Sequence, residues 1–168
     1  MSNEGTHEPT QDKAWLPPRW FIRIFWVGHR AIHTATRGRL GLTTPTAKKW
    51  GMMRLQTIGR RSGAPRSAIL GYFEDGADLV TMAMNGWGEP EPAWWLNLQA
   101  NPETTVDTVD GPRAVRGRAA TGDERARLWA RWAEYDEKLD AWASRRPNET
   151  AVVILEPLPA SPAGRTPA

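Results

Sequence analysis

Short runs in which apolar and polar residues alternate fill the middle of this chain. Such runs, bounded by Gly, Pro, Asn and Asp, are typical of β-strands joined by tight turns. They predict six strands, at Trp50 to Ile58, Arg66 to Phe73, Leu79 to Met84, Glu103 to Val109, Arg113 to Ala119 and Thr150 to Glu156. Because short turns connect the first three strands, we expect these three to form a meander.

Helical periodicity is restricted to three segments. Residues 18–38 place Arg and His side chains on one side and apolar side chains on the rest, which predicts an amphipathic helix. Ala93 to Ala100 follows Pro92 and should be a short helix with Trp94, Leu98 and also Trp95 as candidates to face inward.

The third helix is expected to start after Thr121. Thr121 and Glu124 have the spacing of a capping box, in which the side chain of each residue bonds to the backbone amide of the other. An apolar side then continues at near-helical spacing through Leu128, Trp129, Trp132, Tyr135, Leu139 and Trp142.

This order of elements favours a mainly β fold with added helices. Strands and helices do not alternate as a doubly wound sheet requires, so we expect an antiparallel barrel of six or seven strands with an N-terminal amphipathic helix. The expected organisation is a flexible segment at 1–17, the amphipathic helix at 18–38, the barrel domain at 39–157 and a disordered Pro/Ala/Ser tail at 158–168.

Composition narrows the chemistry. The chain has no cysteine, which excludes disulfides, thiolate metal sites and thiol nucleophiles. Its three histidines, His7, His29 and His33, form no recognisable set with carboxylates, so no metal site is expected. The first residues lack the pattern of a secretory signal, which favours a cytoplasmic protein.

The predicted N-terminal helix has two interpretations. Its apolar residues could pack on the barrel, or its basic side could lie on an anionic membrane surface, at the inner face of the plasma membrane. It is too charged to span a bilayer.

The most distinctive segment for chemistry is the turn from Gly59 to Arg66, which we call the basic loop. It gathers three arginines, two glycines and a serine: Arg60, Arg61, Arg66, Gly59, Gly63 and Ser62. Guanidinium groups and amides that converge on glycines can bind a phosphate or carboxylate. A solvated basic turn without a ligand would have the same composition, and the residues alone leave both interpretations open.

Other anion-binding explanations fit less well. The basic loop lacks the Gly-Lys-Ser/Thr of a nucleotide-binding loop, and a strand rather than a helix follows it. Nucleic acid is not an expected partner, because acidic residues such as Glu89 and Asp107 lie in neighbouring segments.

Several blocks in order along the chain carry a family resemblance. They are Thr57 to Arg66, Ala83 to Gly86, Pro92 to Leu98, Asn101–Pro102 and Val152 to Pro157. Together they resemble the deazaflavin-dependent nitroreductase family, which includes quinone reductases that use coenzyme F420. The resemblance implies a split β-barrel of the FMN-binding type and a cofactor whose tail carries a phosphodiester and several glutamates.

The resemblance also implies roles for individual residues. Those expected to bind the tail are Gly59, Arg60, Arg61, Ser62 and Arg66. Those expected to line the deazaflavin ring or close its pocket are Ser67, Ala68, Ile69, Met82, Ala83, Met84, Asn85, Ala93, Trp94, Trp95 and Asn97. The implied reaction moves a hydride from the reduced deazaflavin to a hydrophobic, electron-poor small molecule, such as a quinone, an activated enone or a nitroaromatic.

The acceptor side departs from the family's best-known quinone reductase branch, which has a pocket serine and several tyrosines. Here Met84, Leu139 and Trp142 occupy those regions, so a proton donor cannot be transferred directly. Tyr135 and Trp142 are the catalytic candidates, with Tyr72 as the other available phenol. An FMN-dependent barrel oxidoreductase and a barrel that binds an apolar ligand without turnover are the alternatives.

Overall fold

The structure, a computed structural model, describes residues 41–159 of the chain. The predicted flexible segment at 1–17, the predicted amphipathic helix at 18–38 and most of the predicted tail, residues 160–168, lie outside the described residues.

The described part consists mainly of β-strands. Its strands are β1 (Gly51–Ile58), β2 (Pro65–Asp75), β3 (Asp78–Met82), β4 (Glu103–Thr108), β5 (Gly111–Ala119) and β6 (Val152–Pro157). Its α-helices are α1 (Ala93–Ala100), α2 (Gly122–Ala133) and α3 (Leu139–Ala143). All six predicted strands form, with ends that differ from the predictions by at most two residues.

The strands close into a barrel in the order β1-β2-β3-β6-β5-β4, and every neighbouring pair is antiparallel. The predicted meander is therefore confirmed. β6, the last of these strands along the chain, lies between β3 and β5 and pairs with both. Closure between β1 and β4 is short, with Arg54 opposite Asp107 and Leu55 opposite Val106.

Side chains that alternate along the strands build two separate cores. Within the barrel lie buried residues such as Leu55, Tyr72, Leu79 and Leu155, joined by Trp95 and Leu98 of α1. The second core contains Phe73, Val80, Met82 and Ile154 together with Leu128, Trp132 and Leu139 of α2 and α3. Because β3 and β6 contribute alternate residues to both cores, they are buried on both faces, while α2 and α3 cover the outer one.

Helix α1 has the predicted bounds and packs against β1, β2 and β5. Leu98 is fully buried, and it fits because β5 has Gly117 beside it, where a Cβ atom would overlap the Leu98 side chain. Trp95 is also buried, whereas Trp94 is only partly buried against the same cluster. The helix is thus held by two large side chains within the barrel.

Two details of the third predicted helix are wrong. The helix begins at Gly122 as expected, but within the described chain Thr121 makes no capping hydrogen bond. The Glu124 carboxylate instead accepts hydrogen bonds from Arg118 at 2.6 and 2.8 Å, because a guanidinium offers a charged, two-pronged donor. The helix also ends at Ala133, and Leu139 starts a separate short helix, α3.

No helix among residues 41–159 is both long enough and apolar enough to cross a membrane.

Candidate functional site

The basic loop is a tight, internally bonded turn between β1 and β2. The Gly59 amide donates to Ala64 O at 2.9 Å, and Gly59 O accepts from the amides of Ser62 and Gly63 at 3.1 and 2.7 Å. Gly63 has a φ of +65°, in the left-handed region that favours glycine. The loop backbone is therefore fixed without any bond from an arginine side chain.

Gly59 is required by a close approach. A Cβ atom at this position would lie 2.7 Å from Ser62 Oγ and 3.3 Å from Ala64 O. The loop therefore folds back over the end of β1, which leaves no room for a side chain there.

The guanidinium groups of the three arginines in the basic loop have no counterion in the described part of the chain. Arg60, Arg61 and Arg66 are exposed, and no carboxylate of residues 41–159 lies within ion-pair distance of them. Nearly all other arginines of this region are ion-paired, namely Arg54, Arg113, Arg116, Arg118, Arg125, Arg127, Arg131 and Arg146. Positive charge without a counterion in the same turn is what an anion-binding loop requires.

Asn97 connects the basic loop to helix α1. Its side-chain Oδ1 accepts from the Arg60 amide at 3.1 Å and from Arg60 Nη1 at 3.4 Å, while Nδ2 donates to Thr57 Oγ1 at 3.4 Å. Asn97 and Thr57 are both buried. Asn97 was predicted to bind the cofactor. Its polar atoms are all engaged with the protein, so its visible role is to orient Arg60.

The first half of β2 has an open edge. Pro65 to Tyr72 pair with β1, but β2 meets β3 only from Phe73 to Asp75 among the described residues. Ser67 is exposed, and Ala68 and Ile69 are partly exposed. These three predicted ring-lining residues therefore lie where backbone and side chains can meet a ligand, directly after the basic loop.

The second predicted ring-lining segment, Met82 to Asn85, leaves the barrel at the end of β3. Its side chains diverge: Ala83 belongs to the barrel interior, whereas Met82 and Met84 lie at the outer core. Asn85 is exposed and begins an unusual turn. The segment after Met84 packs Trp87 against the outer core as well.

Of the pocket-closing candidates, Ala93 is exposed at the start of α1 and Trp94 is half-buried, with its ring 6.2 Å from that of Trp95. Because Trp95 is buried within the barrel, Ala93 and Trp94 are the members of this group that have surface available to a ligand.

The two catalytic candidates lie on the helical side of the barrel. The Tyr135 hydroxyl donates to Thr46 O at 3.2 Å and accepts from Arg131 Nη2 at 3.3 Å, and its ring packs near Phe73, Trp132 and Trp50. Trp142 lies under the Arg145 guanidinium at 4.5 Å. Both rings thus have structural partners.

Tyr72, the other phenol, lies inside the barrel. It is only 1% exposed, and burial raises its pKa above the ordinary value of 10.0, with a further increase from the nearby Glu74 carboxylate. Its hydroxyl therefore stays protonated at neutral pH.

Sequence reasoning missed one polar cluster next to Met82 to Asn85. The buried Arg146 forms an ion pair with the partly buried Glu91 at 3.1 Å, and Thr150 lies beside Arg146. In the sequence Arg146 belongs to a pair of arginines before Pro147, which resembles an ordinary surface turn. Only its complete side-chain burial distinguishes it.

A closed antiparallel barrel with an open edge on β2, next to a loop of arginines without ion pairs, is the arrangement expected of a barrel that binds a ligand with an anionic tail. Residues 27–157 match the sequence profile of the F420H(2)-dependent quinone reductase family. The chain belongs to this family. It is an oxidoreductase of the quinone reductase type that uses coenzyme F420. The cofactor and enzyme class expected from the sequence are confirmed, and F420 rather than FMN is the family's cofactor.

Curated relatives agree with this assignment. An F420H(2)-dependent quinone reductase of Mycobacterium tuberculosis is 30% identical over 146 residues, which cover 82% of this chain and 95% of the relative. A second protein of that organism, provisionally named for the same activity, is 35% identical over 104 residues, covering 61% of this chain and 87% of the relative.

Solved structures support the fold. An F420H2-dependent reductase (FDR-A) aligns with a TM-score of 0.57 and 24% identity over 62% of this chain and 93% of its own. A structure described as a domain-swapped dimer aligns with a TM-score of 0.61 and 23% identity over 80% and 99% of the two chains.

Proposed function

We propose that the basic loop binds the anionic tail of coenzyme F420, and that the deazaflavin ring lies along the open edge of β2. The observation that carries this proposal is the set of three guanidinium groups, on Arg60, Arg61 and Arg66, with no carboxylate of the described chain to neutralise them. The loop is continuous with the open strand edge, so one ligand can contact both.

The chemistry of the donors fits the group. The tail implied by the family resemblance carries a phosphodiester and carboxylates, and a guanidinium binds each of these with two parallel hydrogen bonds. Asn97 holds the Arg60 backbone, so less side-chain and loop entropy is lost when the tail binds.

The residues on the ring side have a different task. Ser67, Ala68 and Ile69 offer a partly exposed strand edge, and the adjacent α1 places Trp94 near the barrel mouth. When bound, the reduced deazaflavin supplies the hydride. The protein's own residues then have to orient the acceptor over the ring and keep water out of the site.

The physiological acceptor is proposed to be a quinone with an apolar body. Half-buried Met84, Trp87 and Trp129 give the wall next to β3 an apolar character. Activated enones and nitroaromatics share the electron-poor, apolar character of a quinone and are proposed as further acceptors.

Proton delivery to the reduced acceptor remains assigned to Tyr135 as a prediction. Tyr135→Phe removes only the hydroxyl. If this hydroxyl donates the proton, kcat should fall while the KM for menadione and the cofactor affinity stay unchanged. An unchanged kcat would exclude the role, and Trp142→Phe is the parallel test for the second candidate.

The central test uses the purified full chain. Titration with coenzyme F420 is followed by fluorescence, and menadione is then added to the reduced complex. We expect saturable binding and reoxidation of the cofactor, with FMN binding more weakly because it lacks the glutamate tail. Failure to bind coenzyme F420 contradicts the proposal, and binding without menadione reduction favours a non-catalytic barrel.

Membrane attachment through residues 18–38 is a separate proposal that rests on the sequence pattern alone. Flotation of the chain with vesicles rich in anionic lipid should be lost when Arg19, Arg23 and Arg30 are replaced by Ala. Equal flotation of the variant would exclude attachment through these arginines, and a wild-type chain that does not float would favour packing of this segment on the barrel.

A further inference from the structure

The turn after β3 has an unusual backbone. Asn85, Gly86 and Trp87 have φ angles of 46°, 58° and 63°, so three successive residues are left-handed. Asn and Gly adopt this region readily, but a bulky residue such as Trp87 does so only at a cost of about 1 to 3 kcal/mol. We call Asn85–Trp87 the left-handed turn. Surrounding structure has to hold it in place.

Part of that support is local. The Trp87 amide donates to Met84 O at 2.7 Å, and the Gly88 amide donates to Asn85 O at 3.2 Å. Asn85 Nδ2 donates to Pro90 O at 2.7 Å. These bonds lie mostly within an exposed segment, where water competes for the same groups.

The remaining support comes from Arg146, far along the chain. Its guanidinium donates to Ala83 O at 2.9 Å and to Gly88 O at 3.1 Å, the carbonyls on either side of the left-handed turn. It also donates to Thr150 Oγ1 at 2.9 Å. The Arg146 side chain is completely buried. One rigid, planar group thus fixes both ends of the turn to the segment that leads into β6.

Arg146 also reaches the start of α1. Its Nη2 donates to Glu91 Oε1 at 3.1 Å, immediately before Pro92. The other oxygen of this carboxylate, Oε2, is buried and has no hydrogen-bond partner among the described residues. The ion pair is therefore what compensates for placing this charge out of water.

We propose that Arg146 is a positioning residue of the reductase: it holds the left-handed turn and the start of α1 in the arrangement that places the acceptor wall against the ring. The inference rests on the proposed function for its catalytic consequence. Met84 precedes the turn and Trp87 is its last residue, and both belong to the apolar wall. Helix α1 starts two residues after Glu91 and carries Asn97, which orients Arg60 of the basic loop.

The direct consequence is structural and does not depend on a cofactor. In Arg146→Met, the amides of Trp87 and Gly88 should exchange with deuterium faster than in the wild type, because the two flanking carbonyls are released. In the reductase assay, kcat with menadione should fall by roughly 10- to 100-fold, since small misplacements of reacting groups have effects of this size. The affinity for coenzyme F420 should change less, because the arginines of the basic loop are unaltered.

A second variant separates positioning from a simple charge effect. Arg146→Met leaves Glu91 as a partly buried carboxylate without its counterion, which by itself destabilises the fold. Arg146→Met combined with Glu91→Gln removes both charges and should recover much of the melting temperature. If Arg146 positions the turn, kcat and the amide protection stay low in this double variant. Recovery of both would overturn the proposal.

Arg118→Met is the matched control. Arg118 also binds two carboxylates, Glu124 and Glu156, but it lies on the helical side and contacts neither the turn nor α1. We expect it to lower stability without lowering kcat or the protection of Trp87 and Gly88. Equal effects of Arg118→Met and Arg146→Met would contradict a specific role.

Arg146→Lys keeps the charge but cannot reach both carbonyls with a planar fork. It should fold, retain the Glu91 pair and still expose the two amides, with an intermediate kcat. Wild-type protection in this variant would overturn the proposal. If the wild type fails to bind coenzyme F420 while the amides still respond to Arg146 substitution, only the proposed function fails.

Discussion

The basic loop and the helical side of the barrel use the same residue type in opposite ways. On the helical side, Arg118 joins β5 to β6 and α2 by donating to Glu156 at 2.6 Å and to both oxygens of Glu124. In the basic loop, Arg60, Arg61 and Arg66 are exposed and have no ion pair within residues 41–159. Each of the three nitrogens of Arg118 donates to a carboxylate, whereas the arginines of the basic loop donate to none among the described residues.

The difference shows that the surroundings, rather than the residue type, separate an arginine used by the fold from one that is available to a ligand. A saturated guanidinium contributes to the fold and would have to break bonds to bind a ligand. In a cluster of arginines without counterions the positive charges repel one another, and a bound anion relieves this repulsion. Substitutions in the two regions should therefore affect different measurements.

The largest effect is expected from Arg60→Ala combined with Arg66→Ala. Charge-assisted bonds at an exposed site are screened by water, so we expect a roughly 10- to 100-fold loss of affinity for coenzyme F420 with its full tail. A tail-less deazaflavin should bind the wild type and this variant alike. Fluorescence titration at several salt concentrations measures both, and the wild type should show the steeper salt dependence.

Arg116→Ala is the control for net charge, because Arg116 is exposed on β5 and only loosely paired with Glu103, at 3.8 Å. It should leave cofactor affinity unchanged. Equal losses for the tailed and tail-less cofactors in the double variant would contradict tail binding by the loop.

Asn97→Ala should have the next largest effect. It removes the partner of the Arg60 amide and of buried Thr57, and buried unpaired groups cost about 1 to 3 kcal/mol. We expect a lower urea midpoint and weaker binding of the tailed cofactor, since Arg60 loses its orientation.

Thr57→Val serves as the comparison, because it removes only the Thr57 part of this network and leaves Asn97 bonded to Arg60. It should lower stability with a smaller change in affinity. If the two variants bind coenzyme F420 equally well, Asn97 does not orient the loop.

A smaller effect is expected from Gly59→Ala. The added Cβ would lie 2.7 Å from Ser62 Oγ, so the loop has to shift, and we expect a severalfold loss of cofactor affinity. Gly63→Ala, in contrast, has open space but a φ of +65°, and should mainly lower stability, by about 1 to 2 kcal/mol. Ser62→Ala should partly rescue Gly59→Ala. An undiminished affinity in Gly59→Ala would show that the close approach is unimportant for binding.

The smallest expected effect is on the pH dependence of stability, and it arises from carboxylates on the helical side of the barrel. Hydrogen bonds from Arg118 lower the pKa of Glu124 below its ordinary 4.5, and those from Arg127 lower the pKa of Asp75 below 3.8. A carboxylate with a depressed folded-state pKa stabilises the fold above its unfolded-state pKa, and this contribution is lost as pH falls through the folded-state value. The urea midpoint should therefore decline as pH falls below about 4.5.

Asp78 opposes this decline slightly, because burial and then Glu156 raise its pKa, so its protonation favours the folded state. Glu124→Gln should lose less stability than the wild type over this acid range. The variant that lacks Arg60 and Arg66 should follow the wild-type curve, because no carboxylate of the described chain pairs with either arginine. An acid dependence that differs in this variant would contradict the separation of the two regions.

Much of the fold could be predicted because it depends on local patterns. Short runs of strand-forming residues, bounded by turn residues, predicted all six strands, and Pro92 and Asn101–Pro102 bounded α1 correctly. The capping box failed because Arg118, which β5 brings next to the helix, offers Glu124 a stronger partner than a backbone amide. The break between Ala133 and Leu139 was missed because the apolar periodicity continues across it.

The candidate site could be predicted only in part, because the sequence shows local patterns but does not show contacts between distant segments. The charge and glycine content of the basic loop lie in consecutive residues, so the sequence by itself predicted a basic turn suited to an anion and, through its resemblance to a family, the cofactor class. Whether those arginines are free, which edge of β2 is open, and that Asn97 and Arg146 hold distant segments together were decided by the tertiary structure. The bonds from Asn97 to Arg60 and from Arg146 to Ala83 and Gly88 join groups 37 or more residues apart in the chain, which come within hydrogen-bond distance only in the folded barrel.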